Sequence, residues 1–247
     1  MLFEPIGHLE SCYPDKFGTP RQPGLVEHSL ARLKIHRKWQ PEEALQGLDG
    51  FSHAWVIFVF HQNDNARYHA KVHPPRLQGE SIGVFATRSP HRPNPLGLSL
   101  VKVVRVESDA VILAGVDMID GTPVLDLKPY LPDVESQPHA RGGWAATATQ
   151  SKIEIEWSEA LLGVLKTWSD QLKNQNEKSF AALTYDELRQ LIEGTLALDP
   201  RPVIYRGFEG QTQTKYRNSH AVRFLNGDVH FEFLTDSRVK VLEVRLS

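Results

Sequence analysis

Leu98-Ser99-Leu100-Val101-Lys102-Val103-Val104-Arg105-Val106, then Glu107-Ser108-Asp109, then Ala110-Val111-Ile112-Leu113-Ala114-Gly115-Val116 is the stretch that decides the fold. Two apolar, largely β-branched runs separated by three polar residues predict an antiparallel hairpin. Runs of the same kind flank it at Ile6–Ser11, His53–His61, Ile82–Ala86 and Val124–Lys128, with turn residues between most of them. Ala54–Phe60 is apolar without interruption, which predicts a strand buried on both faces. Few segments before about residue 147 have helical length, so parallel crossovers are mostly unavailable. The strands are expected to close into a single antiparallel barrel.

From about Ser158 the period changes. Leu161, Leu162, Leu165 and Trp168 recur at helical spacing, and Thr184-x-x-Glu187 is a capping box for a second helix running to about Leu198. Asp199-Pro200-Arg201-Pro202 ends that helix. His220–Leu225 and Val229–Leu234 then flank the turn signal Asn226-Gly227-Asp228, and Arg238–Leu246 reads as one more strand. Gly142-Gly143 through Gln150, rich in Ala and Thr, reads as a linker. The expected architecture is mainly β: a barrel domain over residues 1–145 and a small α/β domain over 146–247.

Composition narrows the function classes. With 247 residues, 40% hydrophobic and 23% charged, the chain reads as a globular protein large enough for one substantial core or a main domain plus a small one. No apolar run approaches the roughly 20 residues needed to span a bilayer, and Met1-Leu2-Phe3-Glu4-Pro5 lacks the basic start of a signal peptide, so a cytoplasmic location is expected. The single cysteine, Cys12, excludes an intrachain disulfide and any multi-cysteine metal centre. It lies in a polar turn and reads as a spectator thiol. A net charge of −2 means that affinity for a polyanion must come from local clusters. Two such clusters are visible: Arg67, Lys71, Arg76, Arg88, Arg92, Lys102 and Arg105, and in the tail Arg201, Arg206, Lys215, Arg217 and Arg223.

Several chemistries find no support. His69-x-x-x-His73 has the spacing of two helical metal ligands, but Pro74 and Pro75 follow and no carboxylate sits at matching spacing, so no metal is expected. There is no Walker A sequence, no Gly-x-Gly-x-x-Gly and no Gly-x-Ser-x-Gly elbow around Ser52-His53 or Ser219-His220.

Three segments concentrate functional side chains in non-repetitive surroundings. Val84-Phe85-Ala86-Thr87-Arg88-Ser89-Pro90-His91-Arg92-Pro93-Asn94-Pro95-Leu96-Gly97 is a basic loop stiffened by three prolines. Arg88, Arg92, His91 and Asn94 suit an anionic or heteroaromatic partner, although a proline-rich surface loop with solvated arginines has the same composition. Lys16–Leu25 and Asp120–Pro132 are the other two. In the latter, Asp126 and Lys128 fall on one face of a strand, with Leu125 and Leu127 on the other; a plain structural ion pair fits them equally well.

These three segments, with Gly50-Phe51-Ser52-His53 and Phe58-Val59-Phe60-His61-Gln62, resemble the TrmO (YaeB-like) family of bacterial tRNA methyltransferases across essentially the whole chain. Asp199-Pro200-Arg201-Pro202-x-x-Tyr205 is similar to that family's C-terminal signature, and Ser11-Cys12 departs from its usual Ser-Pro. The resemblance implies a barrel that binds S-adenosylmethionine, acts as a homodimer and methylates N6 of N6-threonylcarbamoyladenosine beside the anticodon of threonine-accepting tRNA. It assigns cofactor contacts to Pro23, Gly24, Leu25, His61, Gln62, Arg88, Leu98, Gly121, Thr122, Pro123 and Val124. Of these, Gly121–Val124 would read the adenine edge through backbone groups. For the chemistry, Asp126 is the expected base and Lys128 its charge partner or a partner for the threonyl carboxylate, with Tyr130 stacking on the target base, Asn94 hydrogen-bonding it and Arg92 on carboxylate or phosphate. The tail is expected to grip the anticodon arm. An S-adenosylmethionine sensor, an RNA-binding module without transferase activity and a phosphate-directed nucleic-acid hydrolase are the readings from other classes.

Overall fold

The computed structural model describes residues 2–63, 68–74, 77, 80–147, 153–175, 179–201 and 219–246. Period-2 burial organises the first half. Strand β1 (Gly7–Ser11) buries Gly7, Leu9 and Ser11, and β2 (Leu30–Ile35) buries Ala31, Leu33 and Ile35. A one-turn helix α1 (Pro41–Ala44) leads to β3 (His53–Val59). Two short strands, β4 (Lys71–Val72) and β5 (Ile82–Gly83), pair with each other outside the main sheet. Then come β6 (Leu96–Val106), β7 (Ala110–Ala114) and β8 (Pro123–Pro129). The order β1-β2-β7-β6-β3-β8 closes into a barrel, antiparallel at every step. The expected barrel is therefore present.

Three sequence expectations need correction here. Ala54–Phe60 is not buried on both faces: Ala54, Val56 and Phe58 point into the core while Trp55, Ile57 and Val59 are half-buried on the outer wall. Ile82–Ala86 keeps only two residues of strand, because Val84–Ala86 turns into a 3-10 helix. Ala110–Val116 ends at Ala114, since Gly115 adopts a φ of 73°. The expected hairpin turn at Glu107–Asp109 is held from β2, whose Arg32 reaches Glu107 at 3.1 Å and Asp109 at 3.3 Å.

The second half begins with α2 (Pro132–Glu135) and β9 (Glu154–Glu156), then α3 (Glu159–Gln175) and α4 (Tyr185–Ala197). The expected capping box closes α4: the Thr184 hydroxyl accepts from the Glu187 N–H, and Glu187 accepts from the Thr184 N–H at 2.8 Å. Strands β10 (Ser219–Phe224), β11 (Gly227–Thr235) and β12 (Arg238–Leu246) form a sheet in the order β10-β11-β12-β9, with β9 parallel to β12. The hairpin turn is Leu225-Asn226 rather than Asn226-Gly227-Asp228. Gly227 belongs to the strand, where the Trp168 indole lies in the place of a side chain, 2.6 Å from an ideal Cβ, and Trp168 donates to the Asn226 side-chain Oδ1 at 2.9 Å.

The two halves share one hydrophobic cluster. The Tyr13 hydroxyl meets the Thr195 hydroxyl of α4 at 3.0 Å, and the Leu225 N–H donates to the Cys12 carbonyl at 3.0 Å. Cys12 is thus not in a polar turn; it is fully buried, and burial pushes its thiol up to about 12. The expected linker is anchored too, as Gly143–Thr147 forms a 3-10 turn whose Trp144 donates to the Ala86 carbonyl at 2.8 Å. Its continuation at 148–152 lies outside the described residues.

Candidate cofactor and catalytic site

Strand direction gathers the cofactor contacts expected from the sequence. β1, β3 and β7 end where β2, β6 and β8 begin, because every neighbouring pair is antiparallel. Pro23-Gly24-Leu25 lies before β2, His61-Gln62 follows β3, Arg88 and Leu98 lie before and within the start of β6, and Gly121–Val124 opens β8. Segments up to about 100 residues apart in sequence therefore meet at one mouth of the barrel.

The rim is built by backbone and loop contacts. Gly24 has a φ of 76°, and its N–H donates to the Gly115 carbonyl at 2.8 Å, so the two glycine backbones lie against each other. One residue before Pro23, Gln22 accepts from the Arg88 guanidinium at 2.8 Å. Lys16 donates to the Gln62 carbonyl, tying the first loop to the exposed His61-Gln62 turn. In the proline loop, His91 bonds Asn63 at 2.9 Å, while Asn63 donates to the Pro90 carbonyl at 2.8 Å. Arg92 Nη1 bonds the Thr87 and Ser89 carbonyls at 3.3 and 3.2 Å, so these contacts brace the loop itself. Asn94 is exposed at its end.

Gly121–Val124 presents less backbone than the sequence implies. The Gly121 N–H donates to Leu9, the Thr122 and Val124 carbonyls accept from Leu9 and Ile6, and Thr122 and Val124 are buried. Barrel closure uses those groups, leaving Gly121 and Pro123 at the rim.

The outer wall below the mouth carries the expected catalytic pair. Ile57 is flanked by Leu98 of β6 on one side and Asp126 of β8 on the other, so the Leu98 and Asp126 backbones lie about 10 Å apart, two strand spacings. Trp55 is likewise flanked by Leu100 and Lys128. Lys128 Nζ lies 2.9 Å from Asp126 Oδ2, and Asp126 Oδ1 accepts from the Leu127 N–H at 2.9 Å. A register shift at Ile57/Phe58 leaves Leu125 at a bulge, so only Leu127 keeps the expected opposite face. The Tyr130 ring meets Trp55 edge-on at 6.2 Å, and the Trp55 indole donates to Glu135 at 2.8 Å. Along β8, Lys128 is about 13 Å and Tyr130 about 20 Å from Val124. Asp126 is therefore next to the row of expected cofactor contacts, whereas Lys128 and Tyr130 lead away from it.

His69 and His73 flank the β4 strand rather than share a helix face, and among the described residues no group of three metal-binding side chains occurs. Several basic residues have acidic neighbours: Arg105 with Glu107, Arg201 with Asp199, Arg223 with Asp15 and Asp228. Arg67, Arg76, Arg206, Lys215, Arg217 and Tyr205 lie outside the described residues.

The sequence reading missed Asp117. It follows Gly115-Val116 into the mouth and accepts from the buried Ser99 hydroxyl at 2.6 Å. Burial pushes its carboxyl up to about 6, against the hydrogen bonds of Ser99 and its own backbone and the charge of Arg88. Its signal was an acid inside the apolar run Ala110–Ile119.

Comparison with known proteins places this geometry. Residues 8–136 match the family model for the tRNA-methyltransferase O N-terminal domain, and residues 151–247 match the TrmO C-terminal domain. The tRNA (adenine(37)-N6)-methyltransferase of Escherichia coli K12 is 39% identical over 236 residues, covering 93% of this chain and 95% of that protein. A mouse protein of the same name is 60% identical over 138 residues, but the matched part spans only 32% of its length. The crystal structure of TrmO from Pseudomonas aeruginosa superposes with a TM-score of 0.72 at 32% identity, covering 99% of this chain and 98% of that one. No described helix is long and apolar enough to cross a membrane. With both halves matched and a bacterial relative aligned over nearly its whole length, this chain belongs to the tRNA-methyltransferase O family.

Proposed function

We propose that this protein transfers a methyl group from S-adenosylmethionine to N6 of N6-threonylcarbamoyladenosine at position 37 of threonine-accepting tRNA. The observation that carries the reading is the convergence of Gly24, Gln62, Arg88, Leu98 and Gly121 on one mouth, with Asp126 two strands from Leu98 on the outer wall. The names of the E. coli relative and of a Pyrococcus abyssi relative, a probable S-adenosyl-L-methionine-binding protein, support it.

The groups present fit that cofactor. Arg88 suits its carboxylate, the exposed Leu98 and Leu25 suit the adenine face, and the glycine pair lets a ligand lie close to backbone. Bound there, the cofactor supplies a methyl group already activated by its sulfonium. Asp126 takes the proton that N6 gives up, and Lys128 orients the carboxylate through its 2.9 Å contact. Asn94 hydrogen-bonds the target base, Arg92 keeps the loop in shape to meet carboxylate or phosphate, and Tyr130, against Trp55 and about 20 Å along β8 from Val124, meets tRNA flanking the target base rather than the base itself.

Two further parts belong to this reading. Phe85 and Leu96, at the two ends of the proline loop, are 74% and 39% exposed, apolar side chains that suit a second copy of the chain. The C-terminal domain, residues 146–247, adds phosphate contacts to the anticodon arm, and the protein works in the cytoplasm. Mass spectrometry of nucleosides from threonine tRNA incubated with the protein and S-adenosylmethionine tests the reading. The threonylcarbamoyl nucleoside should gain one methyl, and Asp126→Asn should lower turnover with cofactor binding retained. Binding of the cofactor with no methylated nucleoside would replace the reading with a sensor.

A further inference from the structure

We propose that Asp117 is the counter-charge for the cofactor's sulfonium, a binding residue on the floor of the mouth held in place by Ser99. The inference rests on the reading that this mouth takes S-adenosylmethionine, and it adds the residue that would distinguish the cofactor from its product.

The position is set by three segments already placed at the mouth. Gly115, two residues before Asp117, accepts the Gly24 N–H at 2.8 Å. Ser99, one residue after Leu98, points inward on β6 and donates to Asp117 Oδ1 at 2.6 Å, the short distance of a charge-assisted bond. Arg88 acts on the carboxylate from the rim, with its Nη1 bonded to Gln22. The charge of Arg88 from the proline loop acts on Asp117, and the Tyr13 phenol from the segment after β1 feels the charge of Asp117 in turn.

A carboxylate taken out of water costs several kcal/mol unless a cation meets it. Here the protein's own groups compensate incompletely, as the raised carboxyl shows, since burial outweighs Ser99, the backbone bond and Arg88 together. Ser99 nevertheless holds the group in one orientation. The combination fits a ligand with a permanent positive charge. A sulfonium has no proton to donate, so it is recognised through its charge, and a facing carboxylate is one group that does this. After methyl transfer the sulfur is a neutral thioether, and the same carboxylate then favours release of the product over the cofactor.

Isothermal titration of the full-length protein with S-adenosylmethionine and, separately, S-adenosylhomocysteine tests this between about pH 5 and pH 8. The wild-type protein should lose affinity for the sulfonium compound as pH falls below about 6, where Asp117 protonates, while affinity for the thioether changes little. Asp117→Asn keeps an oxygen for the Ser99 hydroxyl and should lower the ratio of the two affinities about tenfold, with the pH dependence gone. An unchanged ratio, or equal weakening of both ligands, overturns the proposal and makes Asp117 a scaffold residue. Should Asp117→Asn fail to fold, Ser99→Ala decides. Loss of the hydrogen bond that favours the charged form should move the pH midpoint of cofactor binding upward, and an unmoved midpoint is the contrary result. A wild-type protein that binds neither compound removes the functional reading itself, a failure distinct from an unchanged ratio.

Discussion

The Asp117→Asn variant should be more stable than the wild-type protein without ligand, and only above the range in which Asp117 titrates. A freely solvated aspartate titrates at 3.8, and burial moves Asp117 to about 6. An acid raised in the folded state favours folding below the unfolded value and loses that contribution as pH rises through the folded one. At pH 7.5 the wild-type protein bears the whole difference, about 3 kcal/mol, whereas an amide has no charge to bury at any pH. Burying the amide costs about 1 kcal/mol in its turn, leaving a net gain of about 2 kcal/mol, or about 4 to 8 °C in midpoint temperature for a chain of this size. Urea unfolding of both proteins at pH 7.5 and at pH 4 gives the two differences. A gain at pH 7.5 that vanishes at pH 4 agrees with a carboxylate kept at a cost to the fold, as binding residues often are. The same difference at both pH values, or a loss at pH 7.5, would refute the electrostatic reasoning.

Two other consequences are open to measurement. Gly97→Ala places a Cβ 2.1 Å from the Phe58 ring, which is itself 4% exposed and has nowhere to go, so the variant should lose about 1 to 3 kcal/mol of stability. Because Leu98 follows directly, cofactor affinity should fall with it; calorimetry showing an unchanged melting temperature would mean that the β3–β6 pair yields more easily than its packing implies. Cys12, buried and with its thiol pushed up to about 12, should react with an aromatic disulfide reagent at pH 8 only as fast as the protein unfolds, and prompt labelling of the native protein would contradict that.

What was legible in the sequence follows from how locally each feature is determined. The β6–β7 hairpin and the α4 capping box were readable because both the signal and the structure it predicts span few residues. β2 was not named, although Ala31, Leu33 and Ile35 alternate as a strand should, because Arg32 and Lys34 on its outer face dilute its hydrophobicity. Gly227 looked like a turn residue and is a packing residue, since only the tertiary structure brings Trp168 against it. The site behaves in the same way. Asp126 and Lys128 pair as their spacing implies, but Asp117 acquires meaning only when barrel closure brings Ser99 and Arg88 beside it.

The contact between Cys12, Tyr13 and Val26 of the barrel and α4 and the Leu225 turn bears on how the protein is made. A ribosome adds about 5 to 20 residues per second, so everything the barrel needs to close, through β8, emerges several seconds before α4 and the final hairpin. During that interval the nascent chain shows water a surface that the finished protein covers completely, including a cysteine and a tyrosine with no exposure in the native state. The loop that carries Gly24 begins beside that surface. A newborn barrel would thus hold the Gly24 loop without the backing that α4 later provides, and if that loop takes the cofactor as proposed, competence to bind would arrive with the last strands rather than with barrel closure.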